Sequence, residues 1–205
     1  MKKLQGSKIR SLLIALMMGA LVLVGCEQDT PLQANNNSLP EQPTAISASG
    51  KTLRFLGFTE KSHNALNKKK RSEKQIQKSK GGDIKLEDKG AERDVKFELK
   101  IPKNSIDFDK TVSMEYDDQN FEGFADLVFG PHGTQFSTPA LLDLEVKGLD
   151  LNGVDIDKIK IYYVNDNGQW EEMVAKKIEV KVKEGKVKIE KAELPHFSRY
   201  ALAAD

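Results

Sequence analysis

Val95-Lys96-Phe97-Glu98-Leu99-Lys100-Ile101 alternates an apolar side chain with a charged one at every step. Successive side chains of a strand point to opposite faces. The stretch therefore lays Val95, Phe97, Leu99 and Ile101 on one face and three charges on the other, as a half-buried antiparallel strand requires. Val112, Met114 and Tyr116 repeat the pattern, and so do Leu142, Leu144 and Val146 with Asp143 and Glu145 between them. Ile159, Ile161 and Tyr163 run into Asn165-Asp166-Asn167-Gly168, a turn signal of the kind that joins hairpin strands, and Trp170 begins the return. Ile178, Val180 and Val182 then pair across Lys183-Glu184-Gly185-Lys186 with Val187 and Ile189. Short alternating strands at this spacing predict an all-β fold, a β-sandwich of two antiparallel sheets over residues 81–205. No stretch reads as a core helix.

Upstream the texture differs. Residues 51–80 are strongly basic, with Lys68-Lys69-Lys70-Arg71 followed by Lys74, Lys78 and Lys80, and residues 81–205 carry the compensating acidic excess, so the formal net charge of +1 conceals two blocks. Among residues 60–80 only Leu66 and Ile76 are large and apolar, so a helix there would have no face to bury, and a solvated, mostly disordered basic segment is expected. Lys68, Lys69, Lys70, Arg71 and Lys74 are its candidates for contact with an anionic surface of lipid headgroups or phosphate-bearing polymer. Leu53, Phe55, Leu56 and Phe58 form an apolar island before it. They could dock as an edge strand on the later domain or be recognised by a partner through strand addition. Residues 26–50, rich in Gln, Asn, Ser, Thr and Pro, cannot bury enough apolar surface to offset their ordering entropy and read as a flexible stalk.

The first 25 residues read as a cleaved signal helix. Lys2, Lys3, Lys8 and Arg10 precede an uncharged apolar run from Ser11 to Val24, which is shorter than the about 20 apolar residues a membrane span needs. The run closes on Leu23-Val24-Gly25-Cys26, and Cys26 is the only cysteine, so no disulfide can form within the chain. This run resembles the bacterial lipobox. The resemblance implies cleavage after Gly25, fatty acylation of Cys26 and retention at a membrane on the extracytoplasmic side of a bacterial envelope, at the outer membrane where there are two, since Glu27 rather than Asp follows. Each buried methylene of an acyl chain contributes about 0.8 kcal/mol, so several chains make a lasting anchor.

Three motifs carry a second resemblance. Phe97-Glu98-Leu99-Lys100-Ile101-Pro102-Lys103-Asn104-Ser105-Ile106 is similar to the opening strand and proline turn of a ZU-five domain. Residues 129–140 (Phe-Gly-Pro-His-Gly-Thr-Gln-Phe-Ser-Thr-Pro-Ala) are similar to that family's central signature, and Pro195-His196-Phe197-Ser198-Arg199-Tyr200-Ala201-Leu202 to its closing strand. The family, known from ankyrins, zonula occludens proteins and netrin receptors, implies a β-sandwich used in protein interaction. In some members the tripeptide matching His196-Phe197-Ser198 self-cleaves. By analogy the Ser198 hydroxyl would attack the Phe197 carbonyl while His196 accepts its proton, the Phe197–Ser198 amide would break as the Ser198 nitrogen leaves and takes up a proton, and water would then open the resulting ester.

Little else suggests chemistry. His63, His132 and His196 lack ligand spacing with one another or with Cys26, and Asp155, Asp157 and Asp166 lack a calcium-loop pattern, so neither metal nor cofactor is expected. No independent enzyme is predicted. The expected role is a lipid-anchored envelope protein whose sandwich binds another envelope protein or a glycan, with no nucleic-acid partner. The alternative is a membrane-proximal spacer whose basic segment grips anionic polymer, with or without self-cleavage.

Overall fold

The computed structural model describes residues 44–64, 69–116 and 126–205. Its strands are β1 (Thr44–Ile46), β2 (Thr52–Phe55), β3 (Lys70–Ile76), β4 (Gly82–Lys89), β5 (Asp94–Ile101), β6 (Lys110–Tyr116) and β7 (Asp126–Gly130). There follow β8 (Gln135–Lys147), β9 (Ile159–Val164), β10 (Trp170–Glu172), β11 (Ala175–Lys181), β12 (Lys186–His196) and β13 (Arg199–Ala204). One short helix, α1 (Glu60–Asn64), lies between β2 and β3. The strands form two antiparallel sheets, as the alternation predicts.

One sheet runs β11-β12-β8-β5-β4. Its inner face presents Val95, Phe97 and Leu99 beside Leu142, Leu144 and Val146, which are register partners, and next to them Val187, Ile189 and Leu194. Its outer face is a chequerboard of opposite charges, with Lys85 on Glu98 at 3.2 Å, Lys100 on Asp143 at 3.1 Å and Lys186 on Glu145 at 2.7 Å. Opposite charges side by side across strands favour this register over a slipped one.

The other sheet centres on β13. Along one side β13 pairs with β9, which continues into β10. Along its other side it pairs first with β7, which leads to β6 and β3, and then with β2, which leads to β1. A parallel bridge between Ser47 and Trp170 joins the end of β1 to β10. The circuit β10-β9-β13-β2-β1 therefore closes on itself and encloses a second small core of Leu53, Phe55, Tyr162, Trp170, Ala201 and Ala203. Phe55 meets Trp170 edge-on at 4.9 Å. The inward side chains of β13, Tyr200 and Leu202, belong to the main core instead. Both faces of β13 are thus covered, which is why Tyr200-Ala201-Leu202-Ala203-Ala204 is apolar throughout and does not alternate.

Two expectations need correction. Thr44–Ile46, inside the stretch expected to be stalk, forms a strand, and residues 51–80 are not a disordered segment throughout. Leu53, Phe55, Leu56 and Phe58 are buried, and Lys70–Ile76 forms a strand paired with β6 along its length. The physical reason is that an edge strand needs one ladder of main-chain hydrogen bonds and very little apolar surface. β3 fully buries only Ile76, and its remaining side chains are exposed or half-buried. A tight turn carries β3 into β4 in the opposite sheet, stitching the two together at that edge. Gly81 sits in it at φ +66°, and a Cβ there would lie 2.3 Å from the Ile101 carbonyl oxygen, so only glycine fits. Val182 also departs from expectation: it opens a one-turn 3-10 helix, Val182–Glu184, and is exposed. Gly185 ends that helix in the left-handed conformation, where its backbone packs against Leu149.

Among the described residues, no helix is long and apolar enough to cross a membrane. The expected signal helix, Leu23, Val24, Gly25 and Cys26 lie outside the described residues, as does Lys68.

Candidate functional site

The three motifs that are far apart in sequence meet at one end of the sandwich. Pro102 closes a turn in which the Ser105 hydroxyl donates to the Pro102 carbonyl at 2.7 Å, while Asn104 takes the left-handed conformation (φ 61°) that asparagine tolerates. Ser137 reaches this turn twice, through its amide to the Ser105 carbonyl at 2.9 Å and its hydroxyl to the Asn104 carbonyl at 3.1 Å. The central signature is then laced to the closing tripeptide. The Phe197 amide donates to Thr134 (2.8 Å), the Gly133 amide to Phe197 (3.1 Å) and the Phe129 amide to Ser198 (3.2 Å). Side chains follow the same plan: Phe197 is fully buried, stacks on Phe129 at 5.6 Å and meets Phe136 edge-on at 4.9 Å. The alternation of bulky rings and permissive turn residues along 129–136 builds a socket for Phe197.

The polar groups of the tripeptide are held by the scaffold. The Ser198 hydroxyl is buried and donates to the Val164 carbonyl at 2.6 Å. His196 Nδ1 lies 3.4 Å from the Phe197 carbonyl oxygen, and the His196 ring packs edge-on against Tyr163. The Tyr200 hydroxyl donates to the His196 carbonyl, and burial pushes the Tyr200 phenol far above its ordinary range. The proton route that self-cleavage needs, from Ser198 Oγ to His196, is therefore not the one made here. The Phe197 carbonyl does have two nitrogens beside it, the Gly133 amide and His196 Nδ1. His132 is an exposed turn residue next to Thr134, whose hydroxyl donates to the Pro131 carbonyl at 2.8 Å.

The basic candidates lie along β3, beside carboxylates of its neighbours. Lys69 is 2.7 Å from Glu115, Arg71 is 3.2 Å from Glu115 and also pairs with Glu73, and Lys74 is 3.8 Å from Asp83. Lys70 reaches inward to Asp88 at 3.0 Å. Each cation of the described part of the run faces at least one anion, so the strand presents a mixed-charge edge. Asp155 likewise acts as a turn residue: its side chain accepts from the Asp157 amide.

One cluster escaped the sequence reading. Arg93 is wholly buried, with its guanidinium 4.7 Å from the Phe58 ring, 5.3 Å from the Tyr116 ring and 3.6 Å from Asp88, itself buried. The signal was present: the apolar series Val95-Phe97-Leu99, extended back by one step, lands on Arg93, and Ile84-Leu86 extended forward lands on Asp88. A charge that continues the apolar face of each strand of a hairpin is a charge pointing into the core. Beside it, the Ser62 hydroxyl of α1 donates to the Glu92 carbonyl at 2.9 Å, tying the segment after β2 to the β4–β5 loop.

No group of three or more His, Cys, Asp or Glu among the described residues is arranged to hold a metal ion. The chain matches no protein-family model and no curated protein.

Proposed function

We propose that the chain is an exported protein held at a bacterial envelope membrane by fatty acylation of Cys26, and that its sandwich is a module for binding another envelope protein or a glycan. The observation that carries the location is the run Leu23-Val24-Gly25-Cys26 closing an apolar segment too short to span, with Cys26 the only thiol. Support for the module reading comes from the sandwich. The polar groups of His196-Phe197-Ser198 are engaged in holding a turn, which suits a rigid scaffold better than a reaction centre. The ZU-five likeness remains part of this proposal. Its support is that the three similar motifs converge on one hydrogen-bonded socket. The carboxylates beside Lys69, Lys70, Arg71 and Lys74 favour the binding module over the anionic-polymer spacer.

Metabolic labelling with a tagged fatty acid tests the anchor. Wild-type protein incorporates the label and sediments with membranes, and Cys26→Ser does neither. Label retained in Cys26→Ser, or wild type without label, would contradict it. Chemical cross-linking on intact cells tests the module: one recurrent protein or glycan adduct is expected, and its absence would count against binding.

A further inference from the structure

We propose that the edge strand β11 is the docking site of a second copy of this chain, joined antiparallel about a two-fold axis through Ile178 so that the β11-containing sheets of two molecules become one. This goes beyond the proposed anchor and module, and does not depend on either.

The other sheet ends are short, as β1 and β10 are, or lie beside each other, as β3 and β4 do with Lys70 reaching Asp88. β4 is joined to β3 through a tight turn, with a bridge between Gln77 and Gly81 and Lys74 Nζ donating to the Asp83 carbonyl at 2.7 Å. β1 and β10 have 3 residues each and are linked to one another through Ser47 and Trp170. β11 has 7 residues and, among the described residues, pairs only with β12, leaving its outer row of amide and carbonyl groups facing solvent. Such an edge is a template for another strand.

The occupant follows from the charge order. Ile178 and Val180 pack against the core, and the exposed Lys177 and half-buried Glu179 flank Ile178 on the opposite face. An isologous pairing that keeps both cores on the same side of the joined sheet must set a residue opposite itself on the two-fold axis. With Ile178 on the axis the whole strand overlaps, Lys177 lies opposite Glu179 of the second copy, and Glu179 lies opposite its Lys177. Moving the axis by one residue opposes Lys177 to Lys177 or Glu179 to Glu179. Of these registers only the one centred on Ile178 turns the Lys177–Glu179 pair within each strand into two pairs across the interface. A single edge is a small interface, so the dimer is weak and concentration-dependent.

Sedimentation velocity of the full chain in a mild detergent, from about 1 μM to about 300 μM, tests the proposal. A reversible monomer–dimer equilibrium is expected. Lys177→Glu, which opposes like charges at two positions, should raise the dissociation constant about ten-fold, and the swap Lys177→Glu with Glu179→Lys should restore it. Neither residue is part of the core, and unchanged circular dichroism confirms that the variants fold. In a Cys26→Ser background, Ile178→Cys should form an intermolecular disulfide on mild oxidation, while Cys26→Ser alone gives none. A monomer across the whole range, a dimer indifferent to Lys177→Glu, or a swap that fails to restore association would each overturn the proposal. Association driven by the apolar N-terminal segment belongs to the second of these results.

Discussion

Replacing Arg93 by alanine tests the reading of the buried cluster most sharply. The wild-type guanidinium is fully buried against Phe58, Tyr116 and Asp88. Alanine removes a desolvated cation from two ring faces, worth about 1–2 kcal/mol each at buried sites, and leaves a cavity where the aliphatic stem packed. Asp88 keeps Lys70 at 3.0 Å, so its charge is not stranded. The sum is a loss of about 3–4 kcal/mol, within the range for breaking a buried ion pair. Arg93→Met with Asp88→Leu removes both charges and refills the volume, and Lys70, 41% exposed, can turn to water. That double variant should come within about 1 kcal/mol of wild type, because a buried pair seldom outperforms well-packed apolar groups. The assay is equilibrium urea unfolding followed by fluorescence of Trp170, the only tryptophan. With a slope of about 2 kcal/mol/M, Arg93→Ala should lower the midpoint by about 1.5–2 M. A loss below about 1 kcal/mol, or a double variant as unstable as the single, would refute the reasoning.

Three further outcomes follow. Gly81→Ala forces a Cβ against the Ile101 carbonyl at a positive φ and should cost about 2–4 kcal/mol by the same unfolding assay, whereas Gly168→Ala, in a turn with open space around it, should cost less. Lys191 stands at φ 53° in the bulge of β12 where its amide donates to Asp143, so Lys191→Gly keeps that bond, relieves the conformation and should raise stability by about 0.5–1 kcal/mol. Burial raises the Tyr162 and Tyr200 phenols well above their ordinary value. The folded state therefore holds more protons than the unfolded one above about pH 10, and stability present below that pH falls as it is exceeded. The phenolate absorbance of these two should rise together with loss of tertiary structure, and ionisation in a still-folded protein would contradict their burial.

The central strands were legible because each has one face in the core and one in water, so Val95 to Ile101 or Leu142 to Val146 writes its environment as a period of two. Where that condition fails, so does the signal. β3 buries one side chain and is held by main-chain pairing to β6, for which Lys-Arg-Ser-Glu-Lys-Gln-Ile has no side-chain signature. β13 is covered on both faces, so its residues do not alternate. The small second core draws on Leu53, Trp170 and Ala201, too distant in sequence for any local pattern to join them. At the candidate site the three motifs were readable as separate stretches of sequence. The hydrogen bond from Ser198 to Val164 was not, because the two residues meet only once β9 and β13 have paired.

The intact mass of the protein recovered from the envelope fraction and measured under denaturing conditions tests the account most directly. A chain that begins at an acylated Cys26 and runs uncut to Asp205 is the expected result. An unacylated chain that still starts at Met1, recovered from the cytosol, would contradict it.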